Sequence, residues 1–555
     1  MASCRSTVLI FEQLLLALFL WSAWAENIEV TTKSGVVEGI EHPVIIGEGV
    51  YVFNGIPYAK PPVGDLRFAK PVPIGSWEGK VGGEAKPNSC YQTNIHHNQE
   101  VHELWKLKVP LSEDCLYLNI YVPQNSTLGF GIDNPQPEDL IPVMVFIHGG
   151  KFHYGSASLD AYDGTVLAAA TDVIVVTINY RLGPMGFLHL SNDGAPGNQG
   201  LMDQQTALRW VKENIHAFGG NPENITLFGE GSGSVCVGLH TMMEESKGLF
   251  HHAIMESMSP LFPHSSHNLE ETNEVTELFA EKTGCTSKDP GEILSCLRGM
   301  EPEKLIATTE EIIHEGHEMP FVPTYGPNSM ISKSPFELAE EGHFNNVVIL
   351  IGTNQDEGSR ALEHYIPENK EEITREEAIE VVQKVIYNKN PGTAKKIVEH
   401  YMNDIDPSNT KGNLHALKDA FGDYFYTCPC LYFTENFSKS GKHAYYYFLN
   451  FIPKRYHQAE LISQGDEVEF VFGLPFQKIA LEEYASSERD LSLRVMSHFA
   501  TFAERGNPSL ALNEWPAFHE GWPVYQELNT LTPNFAYIYN QMHCQFWRDI
   551  VGEQH

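Results

Sequence analysis

Five short apolar runs, each bounded by polar or glycine residues, punctuate the chain: Val143–Ile147, Val173–Ile178, Ile225–Phe228, Val347–Gly352 and Tyr445–Leu449. They are rich in β-branched and aromatic residues and do not alternate with polar ones, which predicts strands buried on both faces of a sheet. Helical patterns separate them. Thr374 and Glu377 fit a capping box opening a helix over Arg375–Ile386, where Ala378, Ile379, Val382 and Ile386 recur at helical spacing. Strands alternating with helices predict an α/β fold with a mostly parallel sheet. No repeat, low-complexity tract or linker divides the chain, so one large domain over 26–555 with long surface insertions is expected.

The first 25 residues stand apart from that pattern. Arg5 precedes the apolar stretch from Leu14 to Trp21, and Ala23-Trp24-Ala25 supplies small residues before Glu26. This predicts a signal peptide cut before Glu26, too short to span a bilayer comfortably. No second long apolar stretch follows and the C-terminus has no hydrophobic tail, so a secreted, unanchored protein is expected. Eight cysteines remain after Cys4, and none has zinc-ligand spacing, so disulfides are favoured in an oxidising compartment. Counting alone leaves about 105 pairings open. Sequons at Asn125, Asn224 and Asn436 permit glycosylation there.

Of the 555 residues, 42% are apolar and 20% charged, which excludes disorder, collagen-like repeats and a multi-span membrane protein. The 37 Lys and Arg are outnumbered by 72 Asp and Glu, for a net −35. Such a charge opposes nucleic-acid binding and favours solubility and basic partner surfaces.

Several longer stretches are specific: Gly55-Ile56-Pro57-Tyr58-Ala59 leading to Leu66-Arg67-Phe68, Glu113 through Asn119, Asn179-Tyr180-Arg181-Leu182-Gly183, and Gly197 through Gln204 continuing to Gly219-Gly220-Asn221-Pro222. Together they make the chain, from about Val30 to Trp547, resemble the type-B carboxylesterase/cholinesterase family of α/β hydrolases. The resemblance implies a central sheet with a gorge at the strand carboxyl ends, and no cofactor or metal. It also implies disulfides Cys90–Cys115, Cys285–Cys296 and Cys428–Cys544. Cys236 is expected as a buried thiol, while Cys430 competes with Cys428 for Cys544.

An ester hydrolase of this kind needs a nucleophile on a G-x-S-x-G elbow, a histidine base, an acid to orient it, and N–H donors for the oxyanion. Here Ile225–Phe228 runs into Gly229-Glu230-Gly231-Ser232-Gly233, so the spacing assigns the apex to Gly231. A register one residue later gives it to Ser232, but Glu230 and Ser234 then stand where the glycines belong. By resemblance Glu357 is the acid, Gln464 stands at the histidine position, and Gly150 and Ser232 offer the oxyanion N–H groups. Glutamine is no base near neutral pH.

The family's glycine-rich oxyanion loop reads His148-Gly149-Gly150-Lys151-Phe152, with Lys151 in place of its last glycine. Lys151 either pairs with Glu230 or Glu357 in the gorge or binds a carboxylate ligand. Trp105 either packs the core or stands as a cation-binding tryptophan. Arg67 with Glu113, and Arg181 with Asp203, are expected as scaffold ion pairs. The reading that follows is a catalytically degenerate protein resembling the cholinesterase-like adhesion group of neuroligins, neurotactin, gliotactin and glutactin. Its expected partner is an extracellular protein or a small apolar ester or acid. The alternatives are a hydrolase with a displaced triad using Ser232 and His457, and a scavenger that holds esters without cleaving them. Oligomeric state is not legible.

Overall fold

The computed structural model describes residues 27–94, 103–124, 139–363, 365–367, 370–386, 391–451, 454, 462–478, 480–511, 514–531, 534–537 and 541–552. The 1–25 segment, Asn125 and His457 therefore lie outside the described residues. Thirteen strands form the main sheet. The first seven are β1 (Asn27–Thr31), β2 (Val36–His42), β3 (Val50–Pro57), β4 (Lys80–Gly82), β5 (Tyr117–Pro123), β6 (Ile141–Ile147) and β7 (Ile174–Ile178). They are followed by β8 (Gly220–Glu230), β9 (His252–Glu256), β10 (Val348–Asn354), β11 (Ala444–Leu449), β12 (Val524–Leu528) and β13 (Asn534–Tyr537).

Their spatial order is β1-β2-β3-β5-β7-β6-β8-β9-β10-β11-β12-β13, with β4 beside β2. From β7 to β12 every neighbour is parallel, and antiparallel ladders finish both ends. This is the mostly parallel α/β sheet that the pattern predicts and the arrangement that the resemblance implies.

The five apolar runs all fall in the parallel heart. Val143, Val145 and Ile147 of β6 enter one hydrophobic cluster with Leu227, Met255 and Ile351. Met144 and Phe146 enter the opposite one with Phe228, Ile254 and Leu350. Each side of the sheet is thus covered, which is why these strands read as unbroken apolar runs.

The helices that matter for the site are α1 (Gln199–Asn214), α2 (Ser232–Met242), α3 (Glu357–Leu362), α4 (Arg375–Val385), α5 (Pro391–Met402), α6 (Thr410–Gly422), α7 (Cys428–Lys439), α8 (Ser486–Arg505) and α9 (Gln541–Gly552). The capping box at Thr374 and Glu377 opens α4, which stops one residue short of the predicted end because Ile386 turns to extended backbone. A π-turn over Asp423–Thr427 joins α6 to α7. Among the described residues no helix is long and apolar enough to cross a membrane.

Both scaffold ion pairs form. Arg67 grips Glu113 through Nε and a terminal nitrogen, each at 2.6 Å, and Arg181 does the same to Asp203 at 2.8 Å, wholly buried on α1. The disulfides are Cys90–Cys115, Cys285–Cys296 and Cys428–Cys544. Cys430 loses the competition and, like Cys236, stays a buried free thiol.

The third bridge joins residues 116 apart. In the chain-entropy picture it restrains the unfolded chain most, by about 4–5 kcal/mol against about 3 for the shorter loops. Cys428→Ser with Cys544→Ser is therefore expected to lower the urea midpoint further than the corresponding Cys285/Cys296 double change. Equal losses would remove the loop-length argument.

Candidate functional site

β8 ends at Glu230 and α2 begins at Ser232, leaving Gly231 at the turn with φ 59° and ψ −126°. Side chains other than hydrogen rarely take this backbone region. Its neighbours fix the register. A Cβ at Gly229 would stand 2.6 Å from the Ile147 carbonyl oxygen and one at Gly233 only 2.0 Å, so strand and helix meet too closely for anything but glycine. A Cβ at Gly231 meets only the Gln464 amide nitrogen at 3.1 Å and the Met258 sulfur at 4.0 Å. Gly231 is the apex of the elbow. Ser232, 2% exposed, accepts the Phe152 N–H on its hydroxyl at 3.3 Å and is turned to the neighbouring loop.

Gln464 is held at both ends of its amide. Its nitrogen donates to Glu230 at 2.8 Å, and its oxygen accepts the Tyr426 hydroxyl at 3.0 Å. Tyr426 comes from the π-turn. A backbone bond from Asp356 N–H to the Ile462 carbonyl, 2.9 Å, draws the Gln464 segment alongside α3. Glu357, first residue of α3 and 2% exposed, accepts the Asn354 N–H at 2.7 Å on one oxygen. Its other oxygen has no hydrogen-bond partner among the described residues.

Two further acids complete a buried group. Glu467 accepts Ser257 Oγ at 2.6 Å and Asn354 Nδ2 at 2.5 Å, while Glu256 is fully buried with neither oxygen bonded among the described residues. Burial, then the charge of Glu467, pushes Glu230 up to about 8. The same two causes hold Glu256 and Glu357 well above the carboxylate range, and burial pushes Glu467 up to about 6.

The oxyanion loop is strained. Gly150 has φ 113°, but Lys151 and Phe152 also take left-handed values of 52° and 63°, each costing about 1–2 kcal/mol in a residue with a Cβ. Lys151 lies half-buried in this loop. Burial lowers its amine, and the acids that oppose this are Glu318 and Glu363, with Arg360 repelling it. Trp105 lies edge-on to Tyr162 with centroids 5.5 Å apart, half-buried against the core.

Arg360, on α3, was not singled out by the sequence, nor were Tyr426, Glu256 and Glu467. Glu467 stood in the run after Gln464, but nothing local marked the others. No group of three His, Cys, Asp or Glu among the described residues is arranged to hold a metal ion. Of the sequons, Asn224 donates its amide to the Glu504 carbonyl at 3.0 Å and Asn436 lies within α7.

The acid group has a pH consequence. Above about pH 8, well past the ordinary histidine pKa of about 6.5, histidines are neutral in folded and unfolded chains alike, so the carboxyls dominate. Their folded pKa values are raised, so the folded chain holds protons the unfolded one has lost, and stability falls as pH rises. Each such proton is worth about 1.4 kcal/mol per pH unit. Urea unfolding from about pH 8 to about pH 9 is expected to show this decline, and Glu256→Gln to flatten it. A stability that climbs across that interval would contradict the assignment.

A parallel sheet carrying a strand–elbow–helix, an acid after β10 and a glycine-rich loop after β6 defines an α/β hydrolase. More narrowly, the chain matches the carboxylesterase family over residues 26–547 and belongs to it. It is similar to the cholinesterase of Mus musculus, 36% identical over 539 residues, covering 94% of this chain and 87% of that protein. It is also similar to the acetylcholinesterases of Bungarus fasciatus, 34% over 547 residues (95% and 87%), and Leptinotarsa decemlineata, 34% over 543 residues (94% and 86%).

Proposed function

We propose that this chain is a secreted, glycosylated esterase-fold protein that binds without hydrolysing, with an extracellular protein as its partner, in the manner of the cholinesterase-like adhesion group. The observation carrying the reading is Gln464, whose amide is engaged by Glu230 and Tyr426 beside the bare Gly231 apex. Gly231 brings no hydroxyl to the apex, and among the described residues no imidazole is hydrogen-bonded there to take a proton, whereas acyl transfer requires both. The displaced-triad alternative lacks a base at Ser232: among the described residues no imidazole is hydrogen-bonded to its hydroxyl, which accepts the Phe152 N–H. The relatives named above are cholinesterases, so the reading makes this chain a departure from their activity. A net charge of −35 favours a basic surface on the partner.

The purified protein is expected to leave a short-chain aryl ester intact alongside an active esterase, since loss of a nucleophile or its histidine costs about 10⁶ in kcat. An organophosphate is expected to leave no adduct. A stoichiometric adduct on Ser232 would restore the displaced triad.

A further inference from the structure

Away from the elbow, α9 is fastened to the body by groups of two kinds. Beneath it, Cys544 is bridged to Cys428 of α7. The Trp547 indole N–H donates to Tyr401 of α5 at 2.7 Å, and that hydroxyl donates to Asp423 at 2.8 Å. Arg548 pairs with Glu435 at 2.6 Å and lies 4.4 Å over the Tyr432 ring.

At its outer edge the fastening is a pair of imidazoles. His400 Nε2 of α5 and His543 Nδ1 of α9 are 3.0 Å apart. Each ring is held by an aromatic of the opposite helix. His400 stacks on Phe546 at 3.9 Å with the planes 1° apart, and His543 stacks on Tyr401 at 4.9 Å and 18°. The stacking fixes the two nitrogens nose to nose.

Such a pair accommodates one N–H between two nitrogens, whether both rings are neutral or one is an imidazolium donating to its neighbour. A second added proton sets N–H against N–H and one positive ring against another. We propose that the His400–His543 pair is a pH-sensitive latch: in acid, double protonation loosens α9 while the Cys428–Cys544 bridge keeps it tethered, uncovering the face that carries Trp547.

The surrounding charges permit this. On α6, Asp419 attracts a proton to His543, with His415 acting on Asp419 in turn. Asp423 is occupied by Tyr401, Glu435 by Arg548, and Glu399 beside His400 by Lys395 at 3.5 Å. Burial and mutual repulsion lower His400, and burial lowers His543 against the pull of Asp419. The paired state is therefore the one present near neutrality and lost on acidification. Its sign is opposite to that of the buried acids.

Hydrogen exchange over residues 541–552 of the full-length, disulfide-intact protein tests it, at about pH 7.5 and about pH 4.5 with intrinsic rates corrected. Protection there is expected to fall about tenfold per pH unit once the second proton binds, while the parallel core stays protected. His400→Gln and His543→Gln, measured separately, should each abolish the fall, and Asp419→Asn should move it to lower pH. Unchanged protection in the parent at acid pH overturns the latch. So does an equal fall in both histidine variants, which would assign the release to other groups on α9.

Discussion

Gly231→Ser combined with Gln464→His is expected to switch on hydrolysis of a short-chain aryl ester, where Gly231→Ser alone leaves the parent's rate. A serine without a base is a poor nucleophile at neutral pH, and a positioned general base contributes about 10²–10⁴-fold. The geometry supports the pairing. The atom nearest a new Cβ at 231 is the end of Gln464, which the second change removes. Glu357, one of whose oxygens has no hydrogen-bond partner among the described residues, is the acid assigned to the new imidazole, and the backbone N–H groups of Gly150 and Ser232 are those assigned to the oxyanion. Lys151, standing in place of the loop's last glycine, is the remaining departure. Adding Lys151→Gly also relieves a left-handed backbone, worth about 1–2 kcal/mol, so the triple variant should exceed the double in both rate and stability. A folded triple variant no faster than the parent would mean that the site has been rebuilt beyond these positions, and the reading would shift towards a binding protein with a site of its own.

The second large effect concerns the scaffold. Asp203→Ala leaves the Arg181 charge buried without its counter-ion, since Asp203 accepts from two of the three guanidinium nitrogens and from the Arg181 backbone N–H at 3.0 Å. Removing one member of a buried pair costs about 3–5 kcal/mol, much of the roughly 5–15 kcal/mol that holds a domain folded. Secreted yield and the urea midpoint should both drop sharply. Glu113→Ala, less deeply buried at 12% side-chain exposure, should cost less. The reverse ranking would show that Arg181 finds another acceptor.

The strands legible in the sequence were those buried on both faces, because double burial erases alternation. The antiparallel strands β1 to β3 carry mixed patterns, and Asn27–Thr31, at the edge, was invisible for that reason. The elbow was legible because two glycines must sit where helix and strand touch, a local constraint with a fixed spacing. The disulfides followed from resemblance alone. Tyr426 was not legible: it reaches Gln464 through a π-turn, a deviation from helical period that no residue pattern announced. The acids that act on Lys151 were not legible for a related reason, since Glu318 and Glu363 lie far along the chain.

The Cys428–Cys544 bridge also decides how this protein would bear mechanical tension between Asn27 and α9. Force entering at Cys544 crosses the sulfurs to Cys428 and bypasses the intervening chain, which includes β11, β12 and β13. The carboxyl edge of the sheet is thereby shielded from the pull. The amino edge is not: β1 hangs on β2 through an antiparallel ladder of five residue pairs, which separates bond by bond when drawn sideways. Under stretch the molecule would peel from the amino edge, and chemical reduction would expose the carboxyl edge to the pull as well.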